Sequence, residues 1–181
     1  MHSPGREFHS TALVSPRAQI GSDCYIGPYS IIGDEVSLGD RVRIDSHCVI
    51  DGRTRIGDET HVFPFVSIGL PPQDLKFAGE ATETEIGRRN RIREFVTIHR
   101  GTAGGGGLTK TGDDCFLMAQ VHIAHDCLLG NHVLMANAAT LAGHVIVEDG
   151  KQRRQGNEAV IEFDAADPIA TLKILDRVSS P

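Results

Sequence analysis

Aliphatic residues recur every six positions along most of this chain. The series runs Val14, Ile20, Ile26, Ile32, Leu38, Ile44, Ile50, Ile56, Val62 and Ile68, then returns in phase at Ile86, Ile92 and Ile98. It resumes one residue later at Leu117, Ile123, Leu129, Met135, Leu141 and Val147. Four residues after each aliphatic site stands a small or β-branched residue, among them Ala18, Cys24, Ser30, Val36, Thr54, Val66, Cys115, Val133 and Val145. A helix would repeat near 3.6 residues and a two-faced strand at 2, so neither accounts for a period of six. Short strands joined by corners do, and the pattern predicts an all-β chain wound as a parallel β-helix. Three hexads would close one triangular coil, with successive coils about 4.8 Å apart. Gly follows many aliphatic sites, as at Gly21, Gly39, Gly57, Gly87 and Gly112, and would suit a sharp corner without a Cβ.

Two segments leave the repeat. Leu70 to Glu85 carries a Pro pair that cannot continue a central strand. Gly101 to Lys110 holds four successive glycines and reads as a mobile loop. Neither has the spacing of a dinucleotide or P-loop fingerprint. The repeat ends at Gly150, dividing a β-helical domain of residues 8–150 from an unmatched tail, 151–181. In the tail, Asp167 and Pro168 look like an N-cap and first helical residue. Ile169, Leu172, Leu175 and Val178 then form an apolar stripe, predicting a short helix over 168–178.

Composition narrows the picture. With 18 basic and 24 acidic residues, the net charge of −6 argues against a nucleic-acid partner. No apolar run reaches the roughly 20 residues of a membrane span, and the N-terminus lacks the core of a secretory signal. All four cysteines (Cys24, Cys48, Cys115 and Cys127) fall on the small inward ladder, as buried hydrophobes rather than metal ligands. Unpaired thiols suit a reducing cytoplasm. Arg88, Arg89, Arg91, Arg93, Arg100 and Lys110 are opposed within their own stretch only by Glu94, a basic stripe fit for phosphate or an acidic partner protein.

The histidines supply the candidate chemistry. His2, His9, His47, His61 and His132 read as solvated surface. His125 should project outward, and one coil further places Gly143 beyond His125 and His144 beyond Asp126. With His122, the face gathers imidazoles, a carboxylate and a glycine backbone. Such a set suits acid–base catalysis, with the carboxylate fixing the imidazole tautomer and a backbone N–H meeting an oxyanion. It equally suits a three-histidine zinc site or a plain polar ladder, and the residues alone leave all three readings open.

Longer motifs are more specific. They are Gln73-Asp74-Leu75-Lys76-Phe77-Ala78-Gly79-Glu80, Asn90-Arg91-Ile92-Arg93-Glu94, Val96-Thr97-Ile98-His99-Arg100-Gly101-Thr102 and Gly105-Gly106-Gly107-Leu108-Thr109-Lys110. His122-Ile123-Ala124-His125-Asp126-Cys127 and the run from Ala136 to Val145 follow in the same order. Together they resemble the UDP-N-acetylglucosamine O-acyltransferases of lipid A synthesis over about residues 8–150. The resemblance implies a left-handed β-helix, a homotrimer with sites between neighbouring prisms, and no cofactor or metal. It implies transfer of an (R)-3-hydroxyacyl chain from acyl carrier protein to the 3-hydroxyl of UDP-GlcNAc. On matching positions, His125 would be the general base, Asp126 its orienter and the Gly143 N–H the oxyanion donor. Gln73, Asp74, Lys76, His122 and His144 would bind substrate, and Arg91 and Arg93 would meet the carrier protein. The family pattern continues beyond Gly150 through further coils, so this chain reads as a shortened or rearranged relative. Two other functions stand beside this one: an inactive β-helical assembly protein and a zinc-dependent hydratase.

Overall fold

In the computed structural model, the residues described are 5 and 7–150. They form short strands in three seven-stranded parallel sheets, the three walls of a left-handed prism. Each strand pairs with the strands one coil below and above it. The predicted helix 168–178 and the tail lie outside the described residues.

Strand register explains why the hexad phase survives one interruption and slips at the other. Along the first sheet, Tyr25 pairs with Arg43 and Arg43 with His61, steps of 18 residues. Across the first excursion His61 pairs with Arg91, a step of 30, which is a whole number of hexads. Across the second, Arg91 pairs with Phe116, a step of 25, which leaves one residue over. The excursions are also shorter than expected, because their flanks are strand. Glu83–Ile86 and Leu108–Thr111 pair side by side in the third sheet, leaving 71–82 and 100–107 outside it.

The interior is the double ladder that the repeat predicts. Ile26, Ile44, Ile50, Val62, Ile68, Ile92, Ile98 and Ile123 are wholly buried, and Val42, Cys48, Val96, Val121 and Cys127 line the alternate positions. Burial of each large side chain contributes roughly 1.5–3 kcal/mol. Some polar ladder members are satisfied internally: Ser30 donates to the Asp45 carbonyl at 2.7 Å and Thr60 to that of Gly87 at 3.0 Å, whereas the buried Thr84 and Thr111 hydroxyls have no partner among the described residues. Cys48 and Cys127 thiols reach the Phe63 and Ala142 carbonyls at 3.1 and 3.0 Å. Burial pushes the Cys48 and Cys115 thiols up to about 11, so neither is a nucleophile at neutral pH.

The corner glycines have a different reason from the one expected. Gly112 does not occupy a left-handed backbone; a Cβ there would lie 2.5 Å from the Gly130 carbonyl in the coil above. Close stacking, rather than φ, selects glycine. Left-handed backbone falls instead on residues just before the small ladder, including Asp23, His47, Phe65, Asp126 and His144. Asp, Asn and His tolerate that region better than β-branched residues do, and two of these corners carry the candidate chemistry.

Candidate active site

The edge between the second and third sheets carries the site, and both excursions leave from it. The strand His122–Ile123 ends at the corner Ala124-His125-Asp126, and the strand Thr140–Leu141 ends one coil higher at Ala142-Gly143-His144. The His144 N–H donates to the His125 carbonyl at 3.0 Å, which locks the two corners in register. Asp126 and His144, both at left-handed φ (59° and 65°), stack as the repeat predicted.

Asp126 is the anchor. It is 4% exposed, and its oxygens accept the Thr102 N–H at 2.9 and 3.1 Å, the Thr102 hydroxyl at 2.6 Å and His125 Nδ1 at 2.9 Å. Burial alone would raise its pKa, but the Thr102 and His125 hydrogen bonds outweigh it and hold the carboxyl below its usual range. An ionised Asp126 facing Nδ1 keeps that proton in place and leaves the His125 Nε2 lone pair free. Gly143 stands beside it: a Cβ there would sit 2.8 Å from Nε2 and 2.5 Å from Cε1. The Gly143 N–H has no acceptor among the described residues.

The glycine run of the second excursion is a defined turn rather than the mobile loop expected. Gly105 and Gly107 N–H groups donate to the Thr102 carbonyl at 3.0 and 2.8 Å, and Gly106 and Gly107 take φ of 102° and 80°. Gly105 presses so close to Asp126 and His144 that a Cβ would overlap the carboxylate. The turn thus covers the buried side of the Asp126–His125 pair and delivers Thr102 to it.

His144 is half exposed at the rim, its ring edge-on to His125 with centroids 5.0 Å apart. His122 Nδ1 lies 2.7 Å from the Thr97 hydroxyl, and its ring meets His99 edge-on at 5.0 Å. His99 escaped the sequence reading. The available signal was a histidine directly after an aliphatic ladder residue, where the hexads elsewhere favour glycine. It is 7% exposed, and Nδ1 has no partner among the described residues. Burial lowers its pKa, with the neighbouring charges of His122 and His125 adding to the effect, and burial alone lowers that of His122.

Those shifts fix a pH dependence of stability. Above the ordinary histidine value of 6.5, both imidazoles are neutral folded and unfolded, and their contribution is complete. Below it the unfolded chain takes up protons that the folded site refuses, so stability falls as pH falls toward the depressed folded values. The urea midpoint should therefore drop between pH 7 and about pH 5, and drop less in His99→Phe, whose ring does not titrate. Equal slopes for the two proteins would contradict this origin.

Gln73, Asp74 and Lys76 share the edge but make no hydrogen bond or ion pair with the histidines among the described residues. Their excursion lies two coils lower, with Gln73 and Lys76 exposed and Asp74 Oδ1 accepting the Lys76 N–H at 2.9 Å. The basic stripe is largely neutralised by coil stacking, which sequence distance concealed. Arg89 pairs with Asp114 at 2.7 Å, Arg88 with Asp113 at 3.5 Å, and Lys110 with Glu85 at 3.3 Å. Arg93 pairs with Glu94 at 3.0 Å and stacks on Phe63, whereas Arg91 lies over Phe116 without an ion pair among the described residues. Histidines read as merely solvated also have partners, and His9 Nδ1 lies 2.9 Å from the Thr11 hydroxyl. His61 Nε2 is 2.8 Å from Asp45, and His47 stacks between Tyr29 and Phe65.

His125, Asp126 and His144 offer ligand atoms within 4.8 Å of one another, the geometry a metal would need. The carboxylate argues otherwise. Asp126 Oδ2 already accepts from the Thr102 N–H and hydroxyl and from His125, so metal ligation would cost those bonds. The arrangement fits an oriented base better than a metal cage.

Fold and site together define a left-handed β-helix of hexapeptide repeats that carries a histidine–carboxylate pair at one edge. Residues 17–52 match the bacterial transferase hexapeptide family (six repeats). Over its β-helix the chain is similar to UDP-N-acetylglucosamine O-acyltransferases. It is 56% identical over 143 residues to the acyl-[acyl-carrier-protein]–UDP-N-acetylglucosamine O-acyltransferase of Thermodesulfovibrio yellowstonii, covering 79% of this chain and 55% of that one. It is 50% identical over 120 residues to the Rickettsia canadensis protein of the same name, covering 66% and 46%. The LpxA structure from Acinetobacter baumannii superposes with a TM-score of 0.77 at 48% identity, covering 78% of this chain and 55% of that one. The chain thus spans about half the length of the relatives it matches.

Proposed function

We propose that this chain catalyses transfer of an (R)-3-hydroxyacyl group from acyl carrier protein to the 3-hydroxyl of UDP-GlcNAc, the first step of lipid A synthesis. The observation that carries the reading is the buried Asp126–His125 pair, with Nε2 left free beside Gly143. His125 Nε2 takes the proton of the sugar 3-hydroxyl as its oxygen attacks the thioester carbonyl. The carbonyl π electrons move onto oxygen, and the Gly143 N–H donates to that oxyanion. As the C–O double bond re-forms, the C–S bond breaks, and the imidazolium returns the proton to the leaving sulfur. Asp126 stabilises the imidazolium between the two transfers.

Gln73, Asp74, Lys76, His122 and His144 hold the nucleotide sugar and thioester in this reading, and Arg91 and Arg93 meet the acidic carrier protein. The active form is a cytoplasmic homotrimer in which neighbouring prisms complete each site, with residues 8–150 as its catalytic domain. No cofactor takes part.

A thioester-release assay with 3-hydroxyacyl carrier protein tests the reading. Free thiol should appear only when UDP-GlcNAc is present. No release from a protein that still assembles as a trimer would favour an assembly role, and stoichiometric bound zinc would favour a hydratase.

A further inference from the structure

Arg100 is a charged residue at the base of the active edge that the proposed chemistry does not use. Its N–H donates to the Leu70 carbonyl at 3.2 Å, tying the end of the strand Thr97–His99 to the point where the first excursion departs. Its side chain runs back beneath that excursion, where the guanidinium lies over the Phe77 ring, 5.4 Å from its centroid. Its path crosses Gly52, where a Cβ would lie 2.6 Å from Nη1. Gly52 is also at a φ of 63°, so space and backbone both call for glycine there.

The guanidinium has no ion-pair partner among the described residues, and its Nε is buried without an acceptor. Leaving such a group unpaired is costly, so its retained contact with an aromatic face is informative. Phe77 is the one aromatic residue in 71–82. It belongs to a compact turn: its N–H donates to the Asp74 carbonyl at 3.0 Å, and the Lys76 N–H donates to Asp74 Oδ1. Fixing Phe77 therefore fixes the backbone around Asp74 and Lys76, while Leu75 beside them stands fully exposed.

We infer that Arg100 is a positioning residue that clamps the 71–82 excursion to the prism through Phe77, setting where Asp74 and Lys76 stand. The clamp is a property of the chain itself; its consequence for nucleotide-sugar binding rests on the function proposed above.

The test separates the two. Trypsin cuts after Lys76, at the bond to Phe77, so cleavage there reports release of the excursion. In the full chain, Arg100→Gln should raise the cleavage rate at Lys76 about tenfold, with cleavage after Lys110 unchanged. Arg100→Lys keeps a cation for the ring and should give an intermediate rate. In the transfer assay, Arg100→Gln should raise KM for UDP-GlcNAc about tenfold while kcat stays within about twofold. An unchanged rate at Lys76, or a rise matched at Lys110, would overturn the clamp. If the wild-type chain shows no turnover, the proteolysis still decides the clamp, and only its link to the sugar nucleotide falls.

Discussion

His125→Ala should lower kcat/KM for acyl transfer by about 10²- to 10⁴-fold, the range a positioned general base supplies. The fold should hardly notice. His125 lies at a corner outside the aliphatic ladders, and Asp126 keeps all its Thr102 hydrogen bonds when the imidazole is gone. The residual rate should not vanish, because the backbone donor at Gly143 survives and binding alone supplies part of the acceleration. His144 is a poor substitute base: its Nδ1 stands 4.0 Å from Asp126 Oδ2, beyond a hydrogen bond, on a half-exposed ring. The check pairs steady-state thioester release with a urea midpoint. A loss below tenfold, with the midpoint unmoved, would remove His125 from the role of base.

The extent to which the sequence revealed this site follows from how the solenoid uses its residues. Every inward position repeats, so the ladders of Ile26, Ile44 and Ile68, and of Cys24, Cys48 and Val66, were legible from spacing alone. The stack of Asp126 under His144 was legible for the same reason, since one coil is a fixed count of residues. What spacing could not give were contacts made by segments that leave the count. Thr102 reaches Asp126 from 24 residues away through the second excursion, and nothing in the hexads indicates it. Arg88 and Arg89 looked uncompensated because Asp113 and Asp114 are 25 residues distant in sequence, yet one coil distant in space. His99 occupies a place the hexads reserve for glycine, and the irregular pairing of Leu70 with His99 marks the same spot as a break in register. The polar contacts that spacing missed gather where the period fails, because a perfect ladder leaves no room for a buried polar cluster.

Gly143→Ala should be nearly as damaging as loss of the base, although it adds only a methyl group. The new Cβ would lie 2.5 Å from His125 Cε1, 2.8 Å from Nε2 and 3.1 Å from Nδ1, so the ring must move. It cannot move inward, because Gly105 and Thr102 already pack against Asp126 on that side. Turning outward breaks the 2.9 Å contact from Nδ1 to Asp126, and with it the tautomer that leaves Nε2 basic. The same turn takes Nε2 from beside the Gly143 N–H, so base and oxyanion donor no longer flank one carbonyl. We expect kcat to fall about 10²-fold or more, with KM for UDP-GlcNAc changed by less than about threefold, since the excursion that carries Gln73, Asp74 and Lys76 leaves the prism well below this glycine. Backbone strain contributes nothing, because Gly143 is outside the left-handed region and alanine adopts its φ freely. Imidazole NMR separates this account from simple unfolding. The His125 Nδ1–H resonance should lose its carboxylate-bonded downfield shift in Gly143→Ala, while the amide spectrum of the inward ladders stays in place. A variant that keeps that resonance and its full kcat would show that His125 has room the structure denies it.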